Sequence, residues 1–154
     1  MPELPLVRLQ FSAEFKSQLR SLAKRYRQIR SDIQPLIDQL QAGECPGDQI
    51  SGTGFTVFKV RVKNSDIRKG KSAGYRVIYQ VIEPTSVLLL LIYTKSDQSD
   101  VAAADIQAII KKIHQALAKW KALGALALLS HREITLSQLA LTGVEETRSR
   151  CLYR

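Results

Sequence analysis

The sequence predicts an α+β fold, with an N-terminal strand and a helical hairpin packed on an antiparallel β-meander, followed by a C-terminal helix. Three observations predict it. Two early stretches carry apolar residues at helical spacing, three consecutive middle stretches follow strand periodicity, and one more helical stripe comes after them. Consecutive strands joined by short links run antiparallel, because a parallel return needs a crossover of a dozen residues or more.

"LPLVRLQF" is rich in branched residues and halts at Ser12, so residues 4–10 read as a short strand. Ser12 then reads as an N-cap, with Glu14 in the first turn against the positive end of the helix dipole. Phe15, Leu19, Leu22, Tyr26 and Ile29 follow on one face, while Lys16, Arg20, Lys24, Arg25 and Arg27 crowd the other. "SDIQ" at 31–34 has capping-box spacing for a second helix, whose apolar stripe is Ile33, Leu36, Ile37 and Leu40. That start puts Pro35 in the first turn, where a missing N–H costs nothing, and Gly43 stops the helix.

"GECPGDQISGTG" is full of turn residues and aperiodic, so it reads as a loop. In "FTVFKVRVK" the pattern starts at Val57 or Phe58. Val60 and Val62 share one face, and Lys59, Arg61 and Lys63 the other. After "NSDIRKGKSAG", Tyr75, Val77, Tyr79 and Val81 alternate with Arg76, Ile78, Gln80 and Ile82. "EPTS" reads as a hairpin turn. "VLLLLIY" is apolar on both faces, as suits a strand covered on each side. The last stripe, Ile106, Ile109, Ile110, Ile113 and Leu117, is opened by Ser99 or Asp100. Residues 1–121 are expected to form the domain and 122–154 an extension whose pattern has no physical account.

Of 154 residues, 23 are Lys or Arg and 14 are Asp or Glu, a formal net charge of +9. A surplus of that size suits polyanionic partners: nucleic acid, an anionic membrane surface or an acidic protein. "MPELPLVRLQ" lacks the charge-then-apolar order of a signal peptide, and the apolar run Val87–Tyr93 is too short to span a bilayer. Cys45 and Cys151 have no metal-ligand spacing and read as reduced thiols of a cytoplasmic protein, and His114 and His131 have no ligand partners nearby. No cofactor and no metal are expected.

Between residues 59 and 76 lie Lys59, Arg61, Lys63, Arg68, Lys69, Lys71 and Arg76, opposed only by Asp66. Lys59 and Arg61 project from one strand face, and Arg76 joins them if its strand pairs beside theirs. Cations fixed on a sheet are pre-organised to stabilise charge developing on phosphorus. RNA cleavage by its own 2′-hydroxyl needs such cations, a group to take the 2′ proton and a group to protonate the leaving oxygen, with no metal and no protein nucleophile. The same pattern also fits a solvated sheet face or plain nucleic-acid binding. Tyr75 and Tyr79 sit on the face expected to meet the core, which favours packing over base stacking.

The order of elements, with "GYRVIYQVIE" followed by "LLLLIYTKSDQSDV", resembles the RelE/ParE toxin superfamily, and "GDQISGTGFTVFKVRVK", "KGKSAGYRVIY" and "IYTKSDQSD" most resemble its HigB/RelE branch. The resemblance runs from about Leu6 to about Ile113. It implies a RelE-like fold and a type II toxin that cleaves mRNA on the ribosome, inhibits translation and is silenced by a cognate antitoxin. The opposite charge needed to meet this chain implies an acidic antitoxin. Carried over by position, the two basic strand residues fall on Lys59 and Arg61, the phosphate-gripping arginine on Arg76, and the lysine after the last strand on Lys95. Ser96 stands where the family has an arginine, and no tyrosine opens the last helix. Tyr93 is either a substitute for it or ordinary packing, so the acid and base stay unassigned. Lys63, Arg68, Lys69 and Lys71 would guide the RNA backbone. A ParE-like inhibitor of DNA gyrase and a catalytically degenerate member are the competing readings.

Overall fold

A computed structural model describes residues 7–67 and 73–122, with the side chains of 120–122 left aside. Its elements run β1 (Arg8–Phe11), α1 (Ala13–Arg25), α2 (Ile29–Gln41), β2 (Asp48–Ile50), β3 (Val57–Val62), β4 (Tyr75–Glu83), β5 (Ser86–Thr94) and α3 (Ala103–Ala122). The five strands form one sheet in the order β1-β5-β4-β3-β2, antiparallel throughout except where β1 lies parallel to β5. The α+β arrangement expected from periodicity is therefore present. The chain divides into two compact units within α3, between Gln107 and Ala108. In the second unit the described residues are helical, and the apolar stripe fades along α3: Ile106 is fully buried, whereas Leu117 is 40% exposed. The expected extension lies outside the described residues beyond Ala122, as does Cys151.

Period-2 alternation puts one set of sheet side chains toward α1 and α2. Val62 from β3, Tyr75, Val77 and Tyr79 from β4, and Val87, Leu89 and Ile92 from β5 join Phe15, Leu19 and Leu22 of α1 and Ile33, Leu36, Ile37 and Leu40 of α2 in one core. Phe58 stacks on Tyr79 with ring centroids 5.4 Å apart, and Tyr26 meets Tyr75 edge to face at 5.8 Å. Tyr75 and Tyr79 are fully buried, and fully burying a large apolar side chain contributes about 1.5–3 kcal/mol. Tyr75 and Tyr79 are packing residues, as expected.

Ser12 caps α1 as expected, its Oγ accepting from the Phe15 N–H at 3.0 Å. The same hydroxyl donates to the Leu90 carbonyl at 2.6 Å, and Gln18 Oε1 accepts the Ile92 N–H at 2.9 Å. β1 ends opposite Leu89, so these two α1-side groups satisfy the next stretch of β5 backbone that would otherwise lack partners. At the end of α2, the Gly43 N–H donates to Leu40 O and the Glu44 N–H to Gln39 O, a Schellman motif with Gly43 at φ 81°.

Three sequence expectations are corrected. First, α2 starts at Ile29, with Gln28 at its cap, and not at Ser31. Gln28 has no side-chain cap of its own, and its N–H donates instead to Asp66 Oδ2 at 2.9 Å. Asp32 in turn accepts the Ser65 N–H at 2.9 Å. A cap supplied from 38 residues away leaves no local signature, and it places Pro35 inside the helix, beyond the first turn. Second, Asp48–Ile50, read as loop, is an edge strand whose Asp48, Gln49 and Ile50 face Lys59, Phe58 and Val57. It is too short to show a period, and its neighbour alone makes it a strand. Third, α3 opens at Ala103 rather than at Ser99 or Asp100, its first turn closed by Asp105 N–H and Ile106 N–H on the Ala102 carbonyl.

Replacing Ser12 with alanine removes both a helix cap and a buried partner of β5. We expect Ser12→Ala to lower the unfolding free energy by about 1–2 kcal/mol. A urea titration should show an earlier midpoint with an unchanged slope.

Candidate functional site

The sheet face turned away from α1 and α2 carries the even residues of β4 and their cross-strand partners. Arg61 stands opposite Arg76 and Arg76 opposite Tyr93, so Arg61, Arg76 and Tyr93 make one row across three strands. One row further along, Lys59 faces Ile78, which faces Leu91. Ile78 and Leu91 are buried and offer no polar group, so the polar chemistry gathers at the row's end of the face.

Burial differs along the row. Arg61 is exposed, Arg76 is only 7% exposed, and Tyr93 is buried. Arg76 Nη1 donates to the Tyr75 carbonyl at 3.4 Å. Arg61 and Arg76 are like charges directly opposite on neighbouring strands. Among the described residues no carboxylate forms an ion pair with Arg61.

Asp100, on the segment between β5 and α3, brings a carboxylate to this cationic face. Its Oδ1 and Oδ2 accept from Lys59 Nζ at 3.1 and 3.2 Å, and Oδ1 also accepts the Val101 N–H at 2.9 Å. The Tyr93 hydroxyl donates to the same Oδ1 over a long 3.4 Å. The bond from the Val101 N–H and the Lys59 ammonium hold Asp100 below the ordinary carboxylate range. Burial pushes the Tyr93 phenol up, the Asp100 charge and hydrogen bond add to that, and Arg76 opposes it. Tyr93 thus keeps its proton at neutral pH and stands as a hydrogen-bond donor to Asp100.

The structure therefore brings together Lys59, Arg61, Arg76 and Tyr93. Lys63 lies one residue past the end of β3 and is exposed. Lys95 is exposed in the turn that follows β5. Ser96, where the resemblance would have an arginine, bonds the Thr94 hydroxyl at 3.0 Å, and the adjacent Asp97 pairs with Arg25 of α1. Arg68, Lys69 and Lys71 lie outside the described residues. Asp100 was missed as a site residue: in the sequence it is one acid among turn residues, and only the return of the chain past β3 sets it on Lys59. Among the described residues no group of His, Cys, Asp and Glu could hold a metal ion, and no helix is long and apolar enough to cross a membrane.

No protein-family model matches the chain, and no curated protein matches it. Among solved structures it is similar to a mutant of the E. coli toxin RelE in the free state. The two are 18% identical over 61% of this chain and 88% of that one, with a TM-score of 0.42. At that level the likeness assigns no chemistry to this chain.

Two carboxylates of the segment after β5 are held below their ordinary range, Asp97 by its hydrogen bond from Arg25 and Asp100 as above. A carboxylate whose folded pKa is depressed adds stability that is present above its unfolded value, about 4, and is lost as pH falls through the folded one. We expect the urea midpoint to be level near neutrality and to drop on acidification below about pH 4. In the double variant Asp97→Asn, Asp100→Asn that drop should be shallower than in the wild type.

Proposed function

We propose that this chain is the toxin of a type II toxin–antitoxin system, a metal-independent endoribonuclease that cuts mRNA on the ribosome by attack of the 2′-hydroxyl. The observation that carries the reading is the Arg61–Arg76–Tyr93 row with Lys59 beside it. Two arginines set opposite each other on neighbouring strands offer a phosphate between them two charge-assisted partners. A surface that merely needs solubility has no reason to align them.

In this reading Arg61 and Arg76 take the non-bridging oxygens of the scissile phosphate, where their fixed charges meet the charge that develops on the pentavalent phosphorus. Lys59 adds a third cation on the same face. Tyr93, kept protonated, is placed to give a hydrogen bond to a phosphate oxygen or a proton to the departing 5′-oxygen. Lys95 and Lys63 lie outside the row and, with Arg68, Lys69 and Lys71, fit backbone guidance better than chemistry. The sequence motifs around "KSAGYRVIY" support the same family reading, which brings with it a neutralising antitoxin. That partner would be acidic where it touches this basic chain.

Brief induction in a bacterium, with mapping of mRNA 5′ ends, tests the reading: codon-phased cuts are expected. Intact mRNA with DNA damage would instead favour a gyrase-binding module. We expect Arg76→Ala to slow cleavage about 10²- to 10³-fold, the usual loss for one pre-organised charge contact. Circular dichroism and thermal unfolding of the variant check that the fold survives, and growth arrest at the wild-type level by a folded Arg76→Ala protein refutes the assignment. Affinity for RNA should also fall steeply with salt, because the bound cations release counterions from the phosphates.

A further inference from the structure

The Lys59–Asp100 contact has the chemistry of the complex that the site is proposed to form. A carboxylate oxygen lies 3.1 Å from the Lys59 ammonium and 3.4 Å from the Tyr93 hydroxyl, and it takes a backbone N–H at 2.9 Å. These are the donors a phosphate oxygen would use. A phosphate and the Asp100 carboxylate cannot both sit on Lys59 without two anions lying within a few ångströms of each other, a repulsive arrangement.

We propose that Asp100 is a built-in anion that occupies the phosphate position on Lys59 and Tyr93 and must leave for RNA to bind. The exposures fit an exchange of this kind. The Asp100 side chain is 64% exposed, so it returns to water with little cost, whereas Lys59, at 30%, stays half-buried on the sheet. Asp100 sits on a turn segment between β5 and α3, outside both regular elements, where a change of side-chain rotamer disturbs no ladder. While it is in place it satisfies Lys59 and orients the Tyr93 hydroxyl. When RNA displaces it, both donors pass to the phosphate, and the row acts on the substrate as a unit. Asp100 thus raises the threshold for RNA: weakly held polyanions fail to displace it, and a strand that also engages Arg61 and Arg76 succeeds.

The inference rests on the RNA reading of the site, and one binding experiment separates the two. The probe is a fluorescein-labelled 2′-O-methyl RNA oligonucleotide, which cannot be cut, titrated with the full chain at low ionic strength and followed by anisotropy. Asp100→Asn should bind about two- to fivefold tighter than wild type, the range set by loss of one exposed ion pair. Glu44→Gln, which removes the same charge from an exposed position elsewhere, should gain less. In a Lys59→Met background the Asp100→Asn gain should vanish, since the competition runs through that ammonium. Arg61→Ala should weaken binding. If Arg61→Ala weakens binding but Asp100→Asn gains no more than Glu44→Gln, or keeps its gain without Lys59, the proposal is overturned and the RNA reading stands. If neither Arg61→Ala nor Lys59→Met alters binding, the RNA reading is overturned, and the proposal with it.

Discussion

The antiparallel register of β3 on β4 is the constraint on which the rest depends. Val62 pairs with Tyr75, Arg61 with Arg76 and Val60 with Val77, so one face of the pair is apolar and the other cationic. Strand side chains alternate with a period of two, and a slip of one residue would turn Arg61 and Lys59 toward the core and Val60 and Val62 away from it. Removing unpaired arginine and lysine side chains from water costs far more than any local preference could offset. Gly74 helps to hold that register. It directly precedes Tyr75, and a Cβ there would overlap the Val62 carbonyl oxygen, so this close approach of the two backbones admits no side chain.

From the register follows the unequal treatment of the three cations. β3 lies near the edge with β2 outside it, and its Arg61 stays exposed, whereas β4 is the middle strand and its Arg76 is enclosed. Arg76 is thereby enclosed, Arg61 reaches solvent, and Lys59 is bonded to Asp100. The phenol of Tyr93 completes the row only because β5 pairs with β4 in matching phase there. The register shift between Ile78 and Tyr79 comes after that point along β4, so it leaves the Arg76–Tyr93 pair intact.

The helical hairpin is fastened to the sheet by polar contacts of long reach. Asp66 and Asp32 tie the start of α2 to the segment just after β3, and Asp97 ties α1 to the turn just after β5. Three acids of a chain with few of them are thus engaged in structure, and Asp100 is engaged with the site. This division leaves the outer face of α1 and the link to α2 strongly basic, with Arg20, Lys24 and Arg27 exposed.

What the sequence determined by itself is what depends on neighbours along the chain. Ser12 as a cap, Gly43 as a stop, the apolar stripes of α1 and α2 and the alternation of β3 and β4 are all local, because helix and strand periods and cap chemistry act within a few residues. The sharing of a face by Lys59 and Arg61 was legible for the same reason. The pairing of Arg76 with Arg61, the place of Tyr93 at the end of their row, the edge strand Asp48–Ile50, the early start of α2 and the contact of Asp100 with Lys59 were settled only in three dimensions. Each of these joins residues about seven to forty positions apart, through cross-strand registers and side-chain bonds that local periodicity does not reveal. Alternation tells which side a residue faces, and only the packed sheet decides which residue stands opposite it.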